Sequence, residues 1–105
     1  MAIIKDSSSN KIQHIYGGLN PDGSQWCGEG FKHYRLRQGL YLIEFDRPFA
    51  NLPTPICTIF GPEWETFDKS ISIVDIEQIQ FVCATSSMDQ PVDCGFTFIV
   101  FGQVS

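Results

Sequence analysis

The fold class is decided by one stretch of the chain, Gly39-Leu40-Tyr41-Leu42-Ile43-Glu44-Phe45-Asp46-Arg47-Pro48-Phe49. Tyr41, Ile43 and Phe45 repeat with a period of two, so they lie on one face of an extended strand. Pro48 has no N–H group to donate to a sheet and therefore ends that strand. The stretch predicts a β-strand that runs into a fixed corner.

The same alternation continues on both sides of this strand. It predicts further strands at 11–17, 31–37, 54–60, 71–76, 79–85 and 94–102. Pro21 and Gly23 occupy the second and fourth positions of a type I turn at 20–23. No window favours a helix of ten or more residues, because β-branched and aromatic residues dominate and Gly or Pro interrupts the pattern. Six or seven short strands favour a sandwich or a barrel, and we predict an all-β fold, an antiparallel β-sandwich.

Length and composition indicate a single domain. A chain of 105 residues, 43% of them hydrophobic, can bury roughly two-thirds of its unfolded surface. We assign 1–10 to a flexible N-terminal lead-in and 11–105 to the sandwich. No apolar run is long enough for a secretory signal or a membrane span, so we expect a soluble protein whose location stays open. The formal charge of -5 argues against nucleic acid or an anionic membrane as a partner.

The last predicted strand, 94–102, is apolar on both of its faces. In a sandwich one face of a strand enters the core and the other meets water. Ile99 and Phe101 lie on the face opposite to Phe96 and Phe98. In an isolated copy of the chain this apolar face would be exposed to water, so we expect other protein atoms to cover it. A second copy of the chain is the simplest cover, so we predict a homo-oligomer.

The four cysteines, Cys27, Cys57, Cys83 and Cys94, lack the C-x-x-C spacing of a zinc site. We therefore predict no metal and no other cofactor. Three of them lie in apolar strands, where a thiol usually behaves as a small buried hydrophobe. A disulfide between Cys83 and Cys94 across a hairpin is the alternative, if their Cα atoms lie within about 7 Å.

No local pattern indicates a catalytic centre. Neither a Ser-His-Asp nor a Cys-His spacing is present, and no Gly-rich phosphate loop precedes a helix. The paired carboxylates of a glycosidase depend on proximity in space, so spacing does not test them. We predict that the protein is not an enzyme and has no catalytic residues.

Basic side chains concentrate in the strand at 31–37, where His33, Arg35 and Arg37 alternate along one face. Such charges can simply discourage pairing at a sheet edge. Alternatively, Arg35 offers fork-shaped contacts to the carboxylates of a ligand or an interface. The acidic loop at 63–68, from this chain or a neighbouring copy, is one possible partner.

Trp26 and Trp64 both fall in predicted loops. A loop tryptophan can close the end of a sandwich as a buried plug. An exposed indole can instead stack on the C–H face of a sugar, while a nearby carboxylate accepts hydrogen bonds from the hydroxyl groups. Asp22 lies close to Trp26 in sequence, and Asp89 lies in the loop before the last strand. The candidate ligand-binding residues are therefore Asp22, Trp26, Arg35 and Asp89.

Four segments together resemble a small β-module found at the C-terminal ends of bacterial and phage tail-fibre-like or collagen-like proteins. They are Gly18-Leu19-Asn20-Pro21-Asp22-Gly23, Gly28-Glu29-Gly30-Phe31, the stretch quoted first together with Leu52-Pro53, and Gly95-Phe96-Thr97-Phe98-Ile99-Val100-Phe101-Gly102. The segment 41–53, the isoleucine-rich strand 71–76 and the final aromatic strand are similar, more distantly, to the H-type lectins related to discoidin C-terminal domains.

The lectin resemblance implies a six-stranded antiparallel sandwich, a trimer and binding of N-acetylgalactosamine-type sugars at subunit boundaries. It implies that Asp22 stands for an early-loop aspartate that holds the sugar. Ser86-Ser87-Met88 occupies the neighbourhood where those lectins carry a Trp-His pair. We predict a non-catalytic binding or attachment module, lectin-like and preferably trimeric, with carbohydrate as its ligand. The alternative is a purely structural trimerisation module.

Overall fold

Two antiparallel sheets of five strands each pack face to face in the computed structural model, which describes residues 3–5 and 11–104. The strands are β1 (Ile3–Lys5), β2 (Lys11–Leu19), β3 (Gln25–Gly28), β4 (Phe31–Arg37), β5 (Leu40–Phe45), β6 (Thr54–Ile59), β7 (Lys69–Ile76), β8 (Gln80–Ser87), β9 (Gln90–Pro91) and β10 (Phe96–Gln103). A single helical turn, α1 (Glu63–Thr66), separates β6 from β7. The predicted antiparallel β-sandwich is confirmed.

The core forms between the inner faces of the two sheets. The predicted stripe of Tyr41, Ile43 and Phe45 on β5 is fully buried, with at most 2% of any of these residues exposed. Phe96 and Phe98 on β10 face this stripe from the other sheet, and the rings of Tyr41 and Phe96 meet edge to face at 5.2 Å. The alternating pattern that defined β5 in the sequence therefore marks the centre of the core.

The first sheet has the order β1-β2-β10-β6, with β3 also paired to β2. Ile99 on β10 lies opposite Tyr16 on one side and Ile56 on the other. Directly paired residues of antiparallel strands point to the same face, so these three side chains form a row on the outside of the sheet. We call the outward side chains of this sheet the outer apolar face, which consists of Tyr16, Trp26, Ile56, Phe60, Ile99 and Phe101.

The second sheet has the order β4-β5-β8-β7, with β9 also paired to β8. The corner predicted at Pro48 follows β5, and Phe49 beyond it is buried and bridges to Val104. This contact returns the chain from the second sheet to the first, where β6 pairs with β10.

The predicted count of six or seven strands is wrong. Two of the additional strands, β3 and β9, lie inside predicted loops at 24–30 and 86–93, and they are too short to show an alternating pattern. A third, β1, lies within the predicted lead-in, whose other residues are outside the described part of the chain. The acidic loop 63–68 contains α1. Among the described residues, no helix is long and apolar enough to cross a membrane.

The predicted end of the first long strand at Gly17-Gly18 is also wrong, because β2 continues to Leu19. A Cβ atom on Gly17 would lie 2.4 Å from Cζ of Phe31, and one on Gly18 would lie 2.4 Å from Cε2 of Trp26. The two glycines therefore make room for one aromatic ring on each face of the sheet rather than breaking the strand.

Candidate functional site

A cleft of about 480 Å³ opens at one end of the sandwich. It lies where β2 and β6 end and where β7 and β10 begin, with α1 along its side. We call it the end cleft. Its walls are formed by Leu19, Asn20, Pro21, Ile59, Phe60, Gly61, Pro62, Trp64, Glu65, Thr66, Lys69, Asp93, Cys94 and Gly95.

Two exposed aromatic side chains line this cleft. Trp64 projects from α1 and is 76% exposed, and Phe60 directly follows β6 and is 56% exposed. The ring of Trp26 packs against Phe60, with ring centroids 5.1 Å apart. An aromatic surface therefore continues from the outer apolar face into the end cleft.

Polar side chains stand beside these rings. Asn20 contributes an amide that donates to Oγ of Ser24 at 3.0 Å. Lys69 lies in the wall and its Nζ contacts a carboxylate oxygen of Asp68 at 2.5 Å, an ion pair that raises the pKa of Lys69. Glu65 adds a carboxylate from α1. The cleft thus combines apolar rings with both hydrogen-bond donors and acceptors.

Asp93 joins the end cleft to the second sheet. The Nε–H group of Arg35 donates a hydrogen bond shared by both carboxylate oxygens of Asp93, each at 3.1 Å, and Nη2 donates to Oδ2 at 2.8 Å. The carboxylate also accepts from the backbone N–H of Gly39 at 2.8 Å. These bonds, with that of Arg35 the strongest cause, lower the pKa of Asp93. The described partner of Arg35 within the chain is therefore Asp93, and not a carboxylate of the acidic loop.

Tyr41 ties the turn at 20–23 to the same carboxylate. Its hydroxyl lies 2.9 Å from the carbonyl oxygen of Pro21 and 3.1 Å from Oδ1 of Asp93, and both can accept its proton. Burial, as the largest cause, raises the pKa of Tyr41. The hydroxyl therefore stays protonated and holds the turn against the core strand β5.

Among the predicted site residues, Asp22 and Arg35 lie at this end of the sandwich. The carboxylate of Asp22 accepts from the backbone N–H of Ser24 at 2.8 Å and from its hydroxyl at 2.6 Å. These bonds lower the pKa of Asp22 and stabilise the turn. The next residue, Gly23, packs near Arg35, because a Cβ atom there would lie 3.5 Å from Cβ of Arg35.

Trp26 and Asp89 lie elsewhere. Trp26 belongs to β3 and is 43% exposed on the outer apolar face, so neither it nor Trp64 is a buried plug. Asp89 follows β8 in a left-handed backbone conformation and lines a second cleft of about 490 Å³ together with Arg37 and Pro91. The four predicted residues therefore do not line one common cleft.

Sequence reasoning missed Phe60 and Asp93. The alternation of β6 gives a signal for Phe60, because Ile56, Thr58 and Phe60 fall on the same outward face. Asp93 carries no such local signal, since Arg35 is 58 residues away in sequence. The pair of Arg35 and Asp93 forms because the fold places the last residues of β4 next to the segment that precedes β10.

The cysteines are free thiols, and the bridge between Cys83 and Cys94 is not formed. The prediction of buried thiols is confirmed for these two, while Cys57 is half-buried. Cys94 directs its sulfur to the carbonyl oxygen of Val92 at 3.6 Å. No group of three or more His, Cys, Asp or Glu side chains within 11–104 is arranged to hold a metal ion.

Comparison of the chain with protein-family models, with curated proteins and with solved structures found no match.

Proposed function

We propose that this chain is a non-catalytic attachment module that binds carbohydrate in the end cleft and assembles with copies of itself, preferably as a trimer. One observation carries the carbohydrate part of the proposal. An indole that is 76% exposed, that of Trp64, stands on the wall of a cleft that also presents the polar side chains of Asn20, Glu65 and Lys69.

This combination suits a sugar for two physical reasons. The C–H face of a pyranose ring is apolar and stacks on an aromatic ring, while its hydroxyl groups need acceptors and donors at the edges. Glu65 can accept from hydroxyl groups, and the amide of Asn20 can both donate and accept. The cleft volume of about 480 Å³ lies within the range of roughly 300–1,000 Å³ that is typical of small-molecule sites.

The end cleft is a better candidate than the neighbourhood of Trp26. The indole of Trp26 lies over Gly18 and packs against Phe60, so protein atoms already occupy much of its stacking surface. Trp64 is considerably more exposed. Asp22 and Arg35 remain near the proposed site, where they position the turn and Asp93 rather than contact the sugar directly.

A glycan array probed with the full chain tests this proposal. We expect binding that weakens about tenfold, equivalent to about 1.4 kcal/mol, when Trp64→Ala removes the stacking surface. The matched control is Phe67→Ala, because Phe67 is 78% exposed, lies just beyond α1 and does not line the cleft. A blank array from folded protein, or equal weakening by both substitutions, contradicts a sugar site at Trp64.

The second candidate is a purely structural trimerisation module. The outer apolar face favours it, since Tyr16 is 54% exposed, Ile56 is 53% exposed and Ile99 lies between them. Exposed apolar side chains grouped on one sheet face indicate an interaction surface. On this proposal the face is covered by further copies of the chain, and no sugar is bound.

A further inference from the structure

The charged side chains that line the end cleft differ in whether they have a partner. Asp93 is bound by Arg35 at 2.8 Å, and Lys69 is bound by the neighbouring carboxylate of Asp68. Glu65 is the third charged residue of the wall, and its carboxylate has no hydrogen bond or ion pair with any residue in the part of the chain that the structure describes. This carboxylate is therefore available to a ligand.

The positive charge of Lys69 does not cancel the charge of Glu65. Both Asp68 and Glu65 act on Lys69 and raise its pKa, and the hydrogen bond from Lys69 to Asp68 is the largest cause. Two carboxylates thus share one ammonium group, and one negative charge remains at this side of the cleft. The formal net charge of the chain, -5, has the same sign. The end cleft should therefore attract cations and repel anions.

The single turn of α1 carries this carboxylate beside the exposed indole. The backbone N–H of Glu65 donates to the carbonyl oxygen of Pro62 at 2.9 Å, and the hydroxyl of Thr66 donates to that of Glu63 at 2.9 Å. Trp64 lies in the same turn and is 76% exposed. An aromatic face attracts a cation as well as apolar C–H groups. This wall therefore suits a ligand that combines an apolar face with a positive charge.

We propose that the end cleft selects amino sugars with a free ammonium group, which stack on Trp64 and donate from the ammonium group to the carboxylate of Glu65. The selection rests on the proposed function, since it presupposes that a sugar occupies the cleft. N-acetylation turns the ammonium group into a neutral amide, which cannot form a charge-assisted hydrogen bond with Glu65. A uronic acid would bring another negative charge to the same wall.

Two ligands that differ at the amino group alone test this selection. They are soluble oligomers of glucosamine and the N-acetylated oligomers of the same length. Titration calorimetry with the full chain compares them at about pH 6, below the range of about 7.7–8.0 in which an α-amino group titrates. We expect the glucosamine oligomer to bind about fivefold more tightly, as for a favourable exposed ion pair. The preference should shrink in about 1 M salt, where the Debye length falls to about 3 Å.

Glu65→Gln keeps the size of the side chain and its capacity for hydrogen bonds but removes the charge. We expect this substitution to abolish the preference, while the N-acetylated oligomer still binds. Glu77→Gln is the matched control, because Glu77 is also exposed and follows the far end of β7, whose first residue, Lys69, lines the cleft. It removes the same charge from the chain and should preserve the preference.

The results distinguish failure of the selection from failure of the sugar site. Equal binding of the two oligomers, or tighter binding of the N-acetylated one, contradicts the selection and leaves the sugar site standing. The same holds if the array finds other glycans that bind through Trp64 but neither oligomer binds. A blank array overturns the sugar site and the selection together.

The role of Glu65 has its own test. A preference that survives Glu65→Gln, or that is unchanged in high salt, overturns recognition by this carboxylate. Glu65 is exposed, so the substitution should leave the circular dichroism spectrum unchanged. If the variant does not fold, the salt dependence of the unsubstituted chain decides.

Discussion

At the scale of single residues, one carboxylate holds three parts of the chain together. Asp93 accepts from Arg35 on β4, from the backbone of Gly39 in the following turn and from Tyr41 on β5. Its side chain is 27% exposed, so solvent competes only partly for these bonds. Asp93 therefore acts as a structural node under the end cleft.

We predict that Asp93→Asn destabilises the protein by about 1–3 kcal/mol at neutral pH, because the amide loses the charge and turns a donor toward the guanidinium of Arg35. Urea titration measures the change in the free energy of unfolding. The control is Asp89→Asn, an exposed residue at φ 68° where asparagine is well tolerated. Equal effects of the two substitutions would contradict the role of Asp93.

The contribution of Asp93 also depends on pH. Its pKa is lowered in the folded protein, so the stability that it provides is present above the unfolded pKa of about 3.9. That contribution disappears as the pH falls through the lower folded pKa. The difference between the original chain and Asp93→Asn should therefore shrink progressively as the pH falls below about 3.9, as urea titrations across the acid range would show.

At the scale of elements, the long strands were predictable and the rim strands were not. The stripe of Tyr41, Ile43 and Phe45 on β5 is a local signal, and the structure buries all three. Strands of two to four residues, such as β9 and β3, are defined by their pairing with β8 and β2 rather than by their own alternation. The residues that line the end cleft come from segments far apart in the chain, at the ends of several strands and in α1. Which of them meet depends on the order of the strands in the two sheets, and the local sequence does not show it.

The glycine pair in β2 gives a prediction with an internal control. Gly17→Ala directs a methyl group into the rings of Phe31 and Phe98 in the core, and we expect a loss of about 1–3 kcal/mol. The nearest atoms to a methyl group in Gly18→Ala belong to the half-exposed ring of Trp26, which can move outward into solvent. The cost of Gly18→Ala should be clearly smaller.

Chemical unfolding compares the two stabilities. The fluorescence of Trp26, isolated in a Trp64→Phe background, should change with Gly18→Ala and hardly change with Gly17→Ala. A larger destabilisation by Gly18→Ala would contradict the assignment of these two residues to opposite faces of β2.

At the scale of the whole molecule, the outer apolar face leads us to expect self-association. Light scattering of the full chain should give a mass of more than one copy, with three copies preferred. Ile56→Lys places a charge in the centre of this face and should reduce the mass to that of a monomer. Val74→Lys is the matched control, because Val74 is equally exposed at 55% but lies on β7 of the other sheet.

A strict monomer at high concentration would remove the basis for both candidate functions as assembled modules. Dissociation by Val74→Lys but not by Ile56→Lys would move the interface to the second sheet. Circular dichroism of each variant separates loss of assembly from loss of folding.

The proline within β6 has a consequence for the kind of assembly that can form. Among the described strands, β6 is the last of the first sheet and pairs with β10 alone, and Pro55 lies within it. A proline interrupts any hydrogen-bonded ladder that an incoming strand would build along that border. Pro55 therefore hinders extension of the sheet by strand addition at β6. Face-to-face association through the outer apolar face does not need a free strand edge, and it favours oligomers of defined size over open-ended fibres.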